Sequence, residues 1–203
     1  MLKLKIYVFS LISVNCIWLN TFGYNNLDIA LIQNYLIIGA ICHIMDLVVV
    51  QKGRNMKIGI ASDHAGFKQK QVLATYIRKC GHEVVDMGPN SDDRVDYPDY
   101  AEIVAKGLNQ GCFDMGVLVC GTGIGMAIAA CKIPGIRAAN IINQEFAALC
   151  REHNDANLIT LSGRFVSVRE NKAILDTFFS TTFGGGRHSD RVAKINALDG
   201  YVI

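Results

Sequence analysis

From Met56 onward the sequence predicts an α/β fold: a Rossmann-like three-layer sandwich with a parallel five-stranded sheet. Short apolar runs alternate with longer stretches whose apolar residues recur at helical spacing, an alternation typical of β-α-β units. The short runs are almost continuously apolar, which indicates strands buried on both faces. Strands of that kind belong to a parallel sheet covered by helices on both sides.

The predicted strands are the short apolar runs that end before turn residues or helix starts. They are Lys57–Ser62, Glu83–Met87, Met115–Cys120, Ile136–Ile142 and Asn157–Leu161. The predicted helices run from Phe67 up to Gly81, from Pro98 to about Asn109, over Met126–Lys132, Gln144–Glu152 and Val168–Ser180, and roughly over Asp190–Leu198. Pro98 suits the first turn of a helix, and Gly111 lies just beyond a helix end.

Residues 1–55 differ in character from residues 56–203, and we interpret them as an apolar N-terminal extension. Two lysines precede an apolar run, Ile6 to Leu19, which resembles a secretory signal, but no small-residue cleavage site follows it. Polar side chains interrupt the second apolar stretch, residues 27–50, which is a poor membrane span. Three interpretations compete: a membrane anchor, a cleaved export signal, and translation from a start upstream of Met56. We favour the third, in which the extension is spurious or dispensable, because a typical first strand follows Met56 directly.

Composition and charge exclude several classes of protein. The 203 residues are 51% hydrophobic and 19% charged, with only three prolines, which excludes a disordered or collagen-like chain. The 148 residues after position 55 hold 16 basic and 16 acidic side chains, so no charge imbalance favours nucleic acid as a partner. The seven cysteines form no C-x-x-C pair and no zinc-ligand spacing. We therefore expect a cytoplasmic protein, in a reducing compartment, without a metal or other cofactor.

The third predicted strand ends in a glycine-rich loop, Cys120-Gly121-Thr122-Gly123-Ile124-Gly125. In an open parallel sheet the ligand lies outside the carboxyl ends of the strands, where this loop is expected. The glycines let backbone N–H groups approach an anion, and a cysteine beside a helix N-terminus is more readily ionised. A thiolate and an oxyanion hole therefore form one catalytic unit. The loop is not a dinucleotide fingerprint, because Met126 takes the place of the third glycine, and it lacks the lysine of a P-loop.

Three other segments carry candidate residues whose roles the residues alone leave open. Asp63 and His64 follow the first strand; Asp63 is either a helix N-cap or a ligand-binding group, and His64 is a candidate anion ligand. His153 follows the fourth predicted helix, where a histidine more often complements the helix dipole. Arg187 and Arg191 follow three glycines and lie four residues apart. In one helix they would share a face and could bind phosphate; the alternative is a loop of solvated arginines.

Six segments occur in one order over essentially residues 56–200. They are Ser62-Asp63-His64-Ala65-Gly66, Asp96-Tyr97-Pro98, Cys120-Gly121-Thr122-Gly123-Ile124-Gly125, Gly135-Ile136-Arg137-Ala138, Glu152-His153-Asn154-Asp155 and Gly184-Gly185-Gly186-Arg187-His188. Together they resemble the type B ribose-5-phosphate isomerase family, which shares its fold with the subunits of galactose-6-phosphate isomerase. Residues 1–55 have no counterpart in that family.

The resemblance implies a metal-free interconversion of ribose 5-phosphate and ribulose 5-phosphate through an enediolate, a reaction of the pentose phosphate pathway. It implies Cys120 as the base that moves the proton between C1 and C2, and His153 as the group that assists opening of the furanose ring. Other members use a glutamate just after the glycine loop; Met126 stands there, which places this chain in the cysteine subgroup. The implied substrate-binding residues are Gly121, Thr122, Gly123, Ile124 and Gly125 for the enediolate oxygen, Asp63 and Asn154 for hydroxyls, His64, Arg187 and Arg191 for the phosphate, and Tyr97 and Arg164 lining the site.

Family members are dimers or tetramers, so the resemblance also implies a homodimer or tetramer with sites shared across the dimer interface. A six-carbon substrate, galactose or allose 6-phosphate, is the near alternative. Galactose-6-phosphate isomerases need two different subunits, whereas the presence of both Cys120 and His153 favours a self-sufficient ribose enzyme. A non-catalytic sugar-phosphate-binding module on the same fold is a further alternative. Residues 1–50 are the only support for a membrane-tethered protein, so we expect no membrane partner.

Overall fold

The computed structural model describes residues 55–200, so the predicted extension, apart from Asn55, lies outside the described residues. The strands are β1 (Lys57–Ser62), β2 (Glu83–Asp86), β3 (Met115–Cys120), β4 (Ala138–Asn140) and β5 (Leu158–Ser162). The helices are α1 (Phe67–Lys79), α2 (Tyr97–Asn109), α3 (Ile124–Ala130), α4 (Gln144–Asn154), α5 (Val168–Ser180) and α6 (Ser189–Asn196). Short 3-10 turns, Gly186–His188 and Ala197–Gly200, lie on either side of α6. No helix within residues 55–200 is long and apolar enough to cross a membrane.

The five strands form one parallel sheet in the order β2-β1-β3-β5-β4, which confirms the predicted fold class. β1 pairs with β2 on one side and with β3 on the other, so the direction of the crossovers reverses between β1 and β3. At such a reversal the loops that follow the two strands diverge and leave a crevice at their carboxyl ends. Asp63 follows β1 and Cys120 ends β3, so both residues lie beside this crevice.

Helices cover both faces of the sheet, and each face has its own apolar core. On one face α1, α4 and α5 pack through residues such as Leu73, Ala147 and Phe178 against β1, β3 and β5. On the other face α2 and α3 pack through Val104 and Met126, among others. Alternate residues of a strand point to opposite faces, so Val119 joins the first core and Cys120 the second. Cys120 therefore points toward the α2 and α3 side at the end of its strand.

Several predicted boundaries differ from the structure by one or more residues, among them the following three. β4 is a three-residue edge strand rather than Ile136–Ile142, because it pairs with β5 alone. α3 begins at Ile124 instead of Met126, so the last glycine of the loop lies in the first helical turn, where few intrahelical bonds depend on it. α4 continues to Asn154, two residues beyond the prediction, and ends where Asp155 adopts a left-handed conformation.

Candidate active site

The turn after β1 is held tightly against the end of β3. The Asp63 backbone N–H donates to the Val119 carbonyl oxygen at 3.1 Å, and the buried Asp63 carboxylate accepts from the Gly66 N–H at 2.8 Å. Gly66 is the N-cap of α1, so of the two alternatives for Asp63 the helix N-cap does not hold; its carboxylate instead closes the turn just before the helix. A Cβ at Gly66 would lie 2.1 Å from the Val119 oxygen, so only glycine allows this approach.

Cys120 occupies the floor of the crevice. Its side chain is 5% exposed, and its Sγ accepts a hydrogen bond from the Gly123 N–H at 3.1 Å. Gly123 is left-handed, with φ +83°, which turns the chain so that its N–H faces back toward the thiol. The Thr122 hydroxyl accepts from the Ile124 N–H at 3.3 Å. The first turn of α3 leaves further backbone N–H groups without intrahelical partners beside the sulfur.

Tyr97 and Arg164 lie against the glycine loop, and His64 lies beside the segment that precedes Tyr97. A Cβ on Gly125 would lie 2.7 Å from the Tyr97 ring, so this ring lies directly against the loop backbone. The His64 Nδ1 lies 3.3 Å from the Val95 carbonyl oxygen, on the segment that leads into Tyr97. A Cβ on Gly121 would lie 3.5 Å from the Arg164 Cδ, which places the guanidinium stem over the start of the loop.

The loop after β5 is bonded to the same backbone. The Gly163 N–H donates to the Cys120 carbonyl at 2.7 Å, and the Ser162 hydroxyl donates to the Gly121 carbonyl at 2.8 Å. The structure thus brings together one group of predicted residues, which we call the carboxyl-edge cluster. It consists of Asp63, His64, Tyr97, Cys120, Gly121, Thr122, Gly123, Ile124, Gly125 and Arg164.

His153 and Asn154 lie at the opposite end of the sheet, beside the amino ends of the strands. α4 begins after the carboxyl end of β4, where the Asn143 side chain accepts from the Phe146 N–H, and it runs back along the sheet. Its 11 residues, at a rise of about 1.5 Å each, carry its C-terminus about 16 Å toward the amino ends of the strands. There the Asn154 carbonyl accepts from Arg137, which precedes β4.

Arg187 and His188 lie beside the end of α4. The Gly184 N–H donates to the Glu152 carbonyl at 2.9 Å, and the His153 and His188 rings stack with centroids 4.3 Å apart and planes 7° from parallel. The pKa of His188 is lowered, first by desolvation and then by the positive charges of His153 and the two arginines, Arg187 and Arg191. The two arginines do not share one helix, since Arg187 lies in the 3-10 turn and Arg191 in α6.

We call His153, Asn154, Arg187 and Arg191 the amino-edge cluster. A cavity of about 510 Å³ adjoins it beside β4, and Asn154 is among its lining residues. Cys120 does not line that cavity. Within a single chain, the predicted catalytic residues Cys120 and His153 therefore lie apart by roughly the length of a strand. Within residues 55–200, no group of three His, Cys, Asp or Glu side chains could hold a metal ion.

Sequence reasoning missed Lys70, which is fully buried on α1. Its Nζ donates to the Asp86 carboxylate at 2.5 Å and to the Pro89 carbonyl at 2.9 Å, so it anchors the segment between β2 and Tyr97. The helical spacing of the sequence could have identified Lys70 as buried, because it falls on the same helix face as Leu73, three residues later. A lysine on a buried face requires a partner, and here the partner lies in the wall of the crevice.

The chain is similar to known proteins in sequence. The model of the ribose/galactose isomerase family matches residues 58–195. A probable ribose-5-phosphate isomerase B of Mycoplasma pneumoniae is 44% identical over 146 residues, 71% of this chain and 96% of that protein. The ribose-5-phosphate isomerase B of Escherichia coli is 41% identical over 143 residues, 70% of this chain and 96% of that protein.

Solved structures are also similar. The ribose-5-phosphate isomerase B of Clostridium thermocellum has a TM-score of 0.70 and 46% identity, over 71% of this chain and 97% of that one. The enzyme of Mycoplasma genitalium with bound ribulose-5-phosphate has a TM-score of 0.68 and 42% identity, over 72% of this chain and 97% of that one. The chain therefore belongs to the ribose/galactose isomerase family.

Proposed function

We propose that this protein is an aldose–ketose isomerase that interconverts ribose 5-phosphate and ribulose 5-phosphate in the pentose phosphate pathway. The observation that carries the proposal is the pairing of the Cys120 thiol with the N–H of Gly123 in a crevice at the β1–β3 reversal. Relatives at 41–44% identity carry the name ribose-5-phosphate isomerase B, and the Mycoplasma genitalium structure holds ribulose-5-phosphate.

The reaction moves one proton between C1 and C2 of the sugar phosphate. Cys120 takes the C2 proton of the open-chain aldose as a thiolate, and the electrons pass into the carbonyl to give an enediolate. Backbone N–H groups of Gly121 to Gly125 stabilise the developing negative charge on oxygen. The C2 hydroxyl then passes its proton to the C1 oxygen, its electrons form the C2 ketone, and the thiol returns its proton to C1. Base and oxyanion donors are sufficient for this route, so it uses neither a metal nor another cofactor.

The amino-edge cluster completes the site from a second copy of the chain. We propose a homodimer in which His153 of one chain faces Cys120 of the other and opens the furanose ring, while Asn154 and Asp63 bind hydroxyls. Arg187 and Arg191 then join His64 at the phosphate, where guanidinium groups bind oxygens in pairs. Large apolar side chains are exposed near the carboxyl edge and would be covered in such a dimer: Ile124, Ile128, Ile142, Phe146 and Phe165. A tetramer would consist of two such dimers.

We further propose that the enzyme acts in the cytoplasm and that residues 1–55 contribute nothing to turnover. The described cysteines, three of them exposed, are free thiols, which suits a reducing compartment. The family match begins at residue 58.

The test is turnover of ribose 5-phosphate, with the full chain and a chain starting at Met56 compared in the presence of a chelator. Cys120→Ala should abolish ribulose 5-phosphate formation, whereas Cys112→Ala, an exposed cysteine in a turn, should leave it unchanged. Retained activity in Cys120→Ala would overturn the assignment of the base. Turnover of a six-carbon aldose phosphate alone would assign the other substrate class of the family, and binding without C2 proton exchange would indicate a non-catalytic module.

A mixing experiment tests whether the two chains of the dimer share each active site. Cys120→Ala should be inactive alone and His153→Ala should keep only a small residual turnover of ribose 5-phosphate, but chains mixed by refolding should recover roughly a quarter of wild-type activity. Half of randomly formed dimers are mixed, and each mixed dimer has one intact site of two. No recovery from well-folded mixed dimers would contradict the shared site.

A further inference from the structure

Asp155 ends α4 in a conformation that its side chain does not favour. Its φ is 47° and its ψ 44°, and within residues 55–200 it is the one non-glycine residue with a positive φ. Glycine is the usual residue just past a helix end and adopts this conformation without strain. A strained residue beside functional groups persists when surrounding contacts hold it in place. The presence of an aspartate rather than a glycine at this position therefore points to a use for its carboxylate.

Both carboxylate oxygens of Asp155 bind guanidinium groups. Oδ1 accepts from the Arg151 Nη1 at 2.9 Å, and Oδ2 accepts from the Arg137 Nη2 at 2.8 Å. The arginine side chains are only 16% (Arg137) and 10% (Arg151) exposed, so water screens these pairs weakly. Arg151 also lies over the Phe178 ring and donates to the Ala156 carbonyl at 2.6 Å.

Arg137 extends this network to the backbone of the amino-edge cluster. Its Nε donates to the carbonyls of Asn154 at 3.2 Å and Asp155 at 2.9 Å, and its Nη1 donates to the Asn196 Oδ1 at 3.2 Å. Asn196 is the last residue of α6, the helix that carries Arg191. One guanidinium thus ties the end of α4 to the end of α6.

We propose that Asp155, held by Arg137 and Arg151, is a positioning residue that fixes the end of α4 so that His153 and Asn154 keep their orientation toward substrate. The inference rests on the proposed function, because it needs His153 to act on the sugar ring. The carboxylate does not touch substrate in this scheme. It converts two separate arginines and a helix end into one rigid unit, on which the His153–His188 stack is built.

The decisive variant is Asp155→Gly, which keeps the left-handed backbone and removes only the carboxylate. If Asp155 merely ended the helix, the variant should have unchanged turnover and equal or greater stability, because glycine relieves the strain. A positioning residue predicts a fall in ribose 5-phosphate turnover of about 100-fold, the size expected when a catalytic group moves by roughly 1 Å. Glu102→Gln, which removes an acid from the exposed Lys106 pair on α2, is the matched control and should leave turnover unchanged.

A second readout separates the ring-opening step from proton transfer. Ribulose 5-phosphate has no furanose ring, because its C5 hydroxyl is esterified. In deuterated water, NMR therefore follows exchange of its C1 proton, a reaction that needs Cys120 but no ring opening. At saturating ketose, Asp155→Gly should exchange this proton close to the wild-type rate. In a His153→Ala background, Asp155→Gly should cause no further loss of turnover, since both changes remove one function.

Proportional loss of turnover and exchange, additive losses with His153→Ala, or unchanged turnover would each overturn the proposal. If Asp155→Gly does not fold, Arg137→Lys tests the same point, because it keeps the charge and loses the paired bonds to two carbonyls. An inactive wild-type enzyme, or an active Cys120→Ala, would instead contradict the proposed function. The two failures are therefore distinguishable.

Discussion

Gly66→Ala tests whether the contact between the β1 turn and β3 sets the geometry of the crevice. Gly66 has φ −92° and ψ −11°, a conformation that alanine adopts freely, so the substitution adds no backbone strain. The new Cβ would lie 2.1 Å from the Val119 oxygen and 2.5 Å from its carbonyl carbon. Both are backbone atoms of β3, one residue before Cys120, and cannot rotate away.

The size of the effect follows from this overlap. Ordinary van der Waals contact begins at 3.4 Å, so the turn and the strand must separate by the difference from 2.1 Å, about 1.3 Å. Overpacking of this kind costs about 1–3 kcal/mol of unfolding free energy. The separation moves Asp63 and His64 relative to the Cys120 thiol, and a misplacement of about 1 Å lowers turnover roughly 100-fold.

The assay compares kcat for ribose 5-phosphate with stability from urea unfolding. Gly111→Ala is the control: Gly111 lies past the end of α2 with φ +73°, and a Cβ added there would meet no atom within 4 Å. This variant should lose about 1–2 kcal/mol of unfolding free energy, because alanine disfavours the left-handed backbone conformation, and should keep full activity. A folded Gly66→Ala enzyme with wild-type kcat would refute the reasoning, since the crevice would then tolerate the displacement.

Three other perturbations have defined outcomes. Lys70→Met leaves the partly exposed Asp86 carboxylate without its buried partner and should lower the unfolding free energy by about 1–3 kcal/mol in urea titrations, with partial recovery in the double variant with Asp86→Asn. Arg187→Ala should raise KM for ribose 5-phosphate about tenfold or more with little change in kcat, because a charge-assisted bond to phosphate is lost; an unchanged KM would remove this residue from the phosphate site. The pKa of His188, followed by NMR, should lie below its ordinary value of 6.5 and rise toward it in Arg191→Ala, because removal of a positive charge makes protonation easier. A pKa that does not move would contradict the proximity of Arg191.

Periodicity in the sequence was sufficient for the fold because the three central strands, β1, β3 and β5, are almost wholly buried and every long helix has one apolar face. The position of Cys120 followed from a general property of parallel sheets, whose loops with catalytic residues lie at the carboxyl edge. The bounds of β4 were less predictable, since an edge strand has one neighbour and its length depends on how far that neighbour extends.

The pattern of apolar and polar residues in the sequence could not predict details that depend on tertiary contacts. Asp63 is a residue type that commonly caps helices, but its carboxylate accepts a hydrogen bond from the Gly66 N–H within the preceding turn. Asp155 ends a helix in a conformation typical of glycine, and only the two arginines that reach it from different elements explain this. The distance between His153 and Cys120 was predictable in principle, because a helix that follows a parallel strand must run back to the other edge.

The separation of the two clusters has a consequence for how activity depends on the amount of protein. If neither edge of a chain is a complete site, an isolated chain is catalytically silent, and a newly made chain gains activity only when it meets another. On dilution below the dissociation constant of the dimer, the rate would then fall with the square of chain concentration rather than in proportion to it. Substrate that bridges both edges would oppose this loss, because it binds the pair and not the single chain.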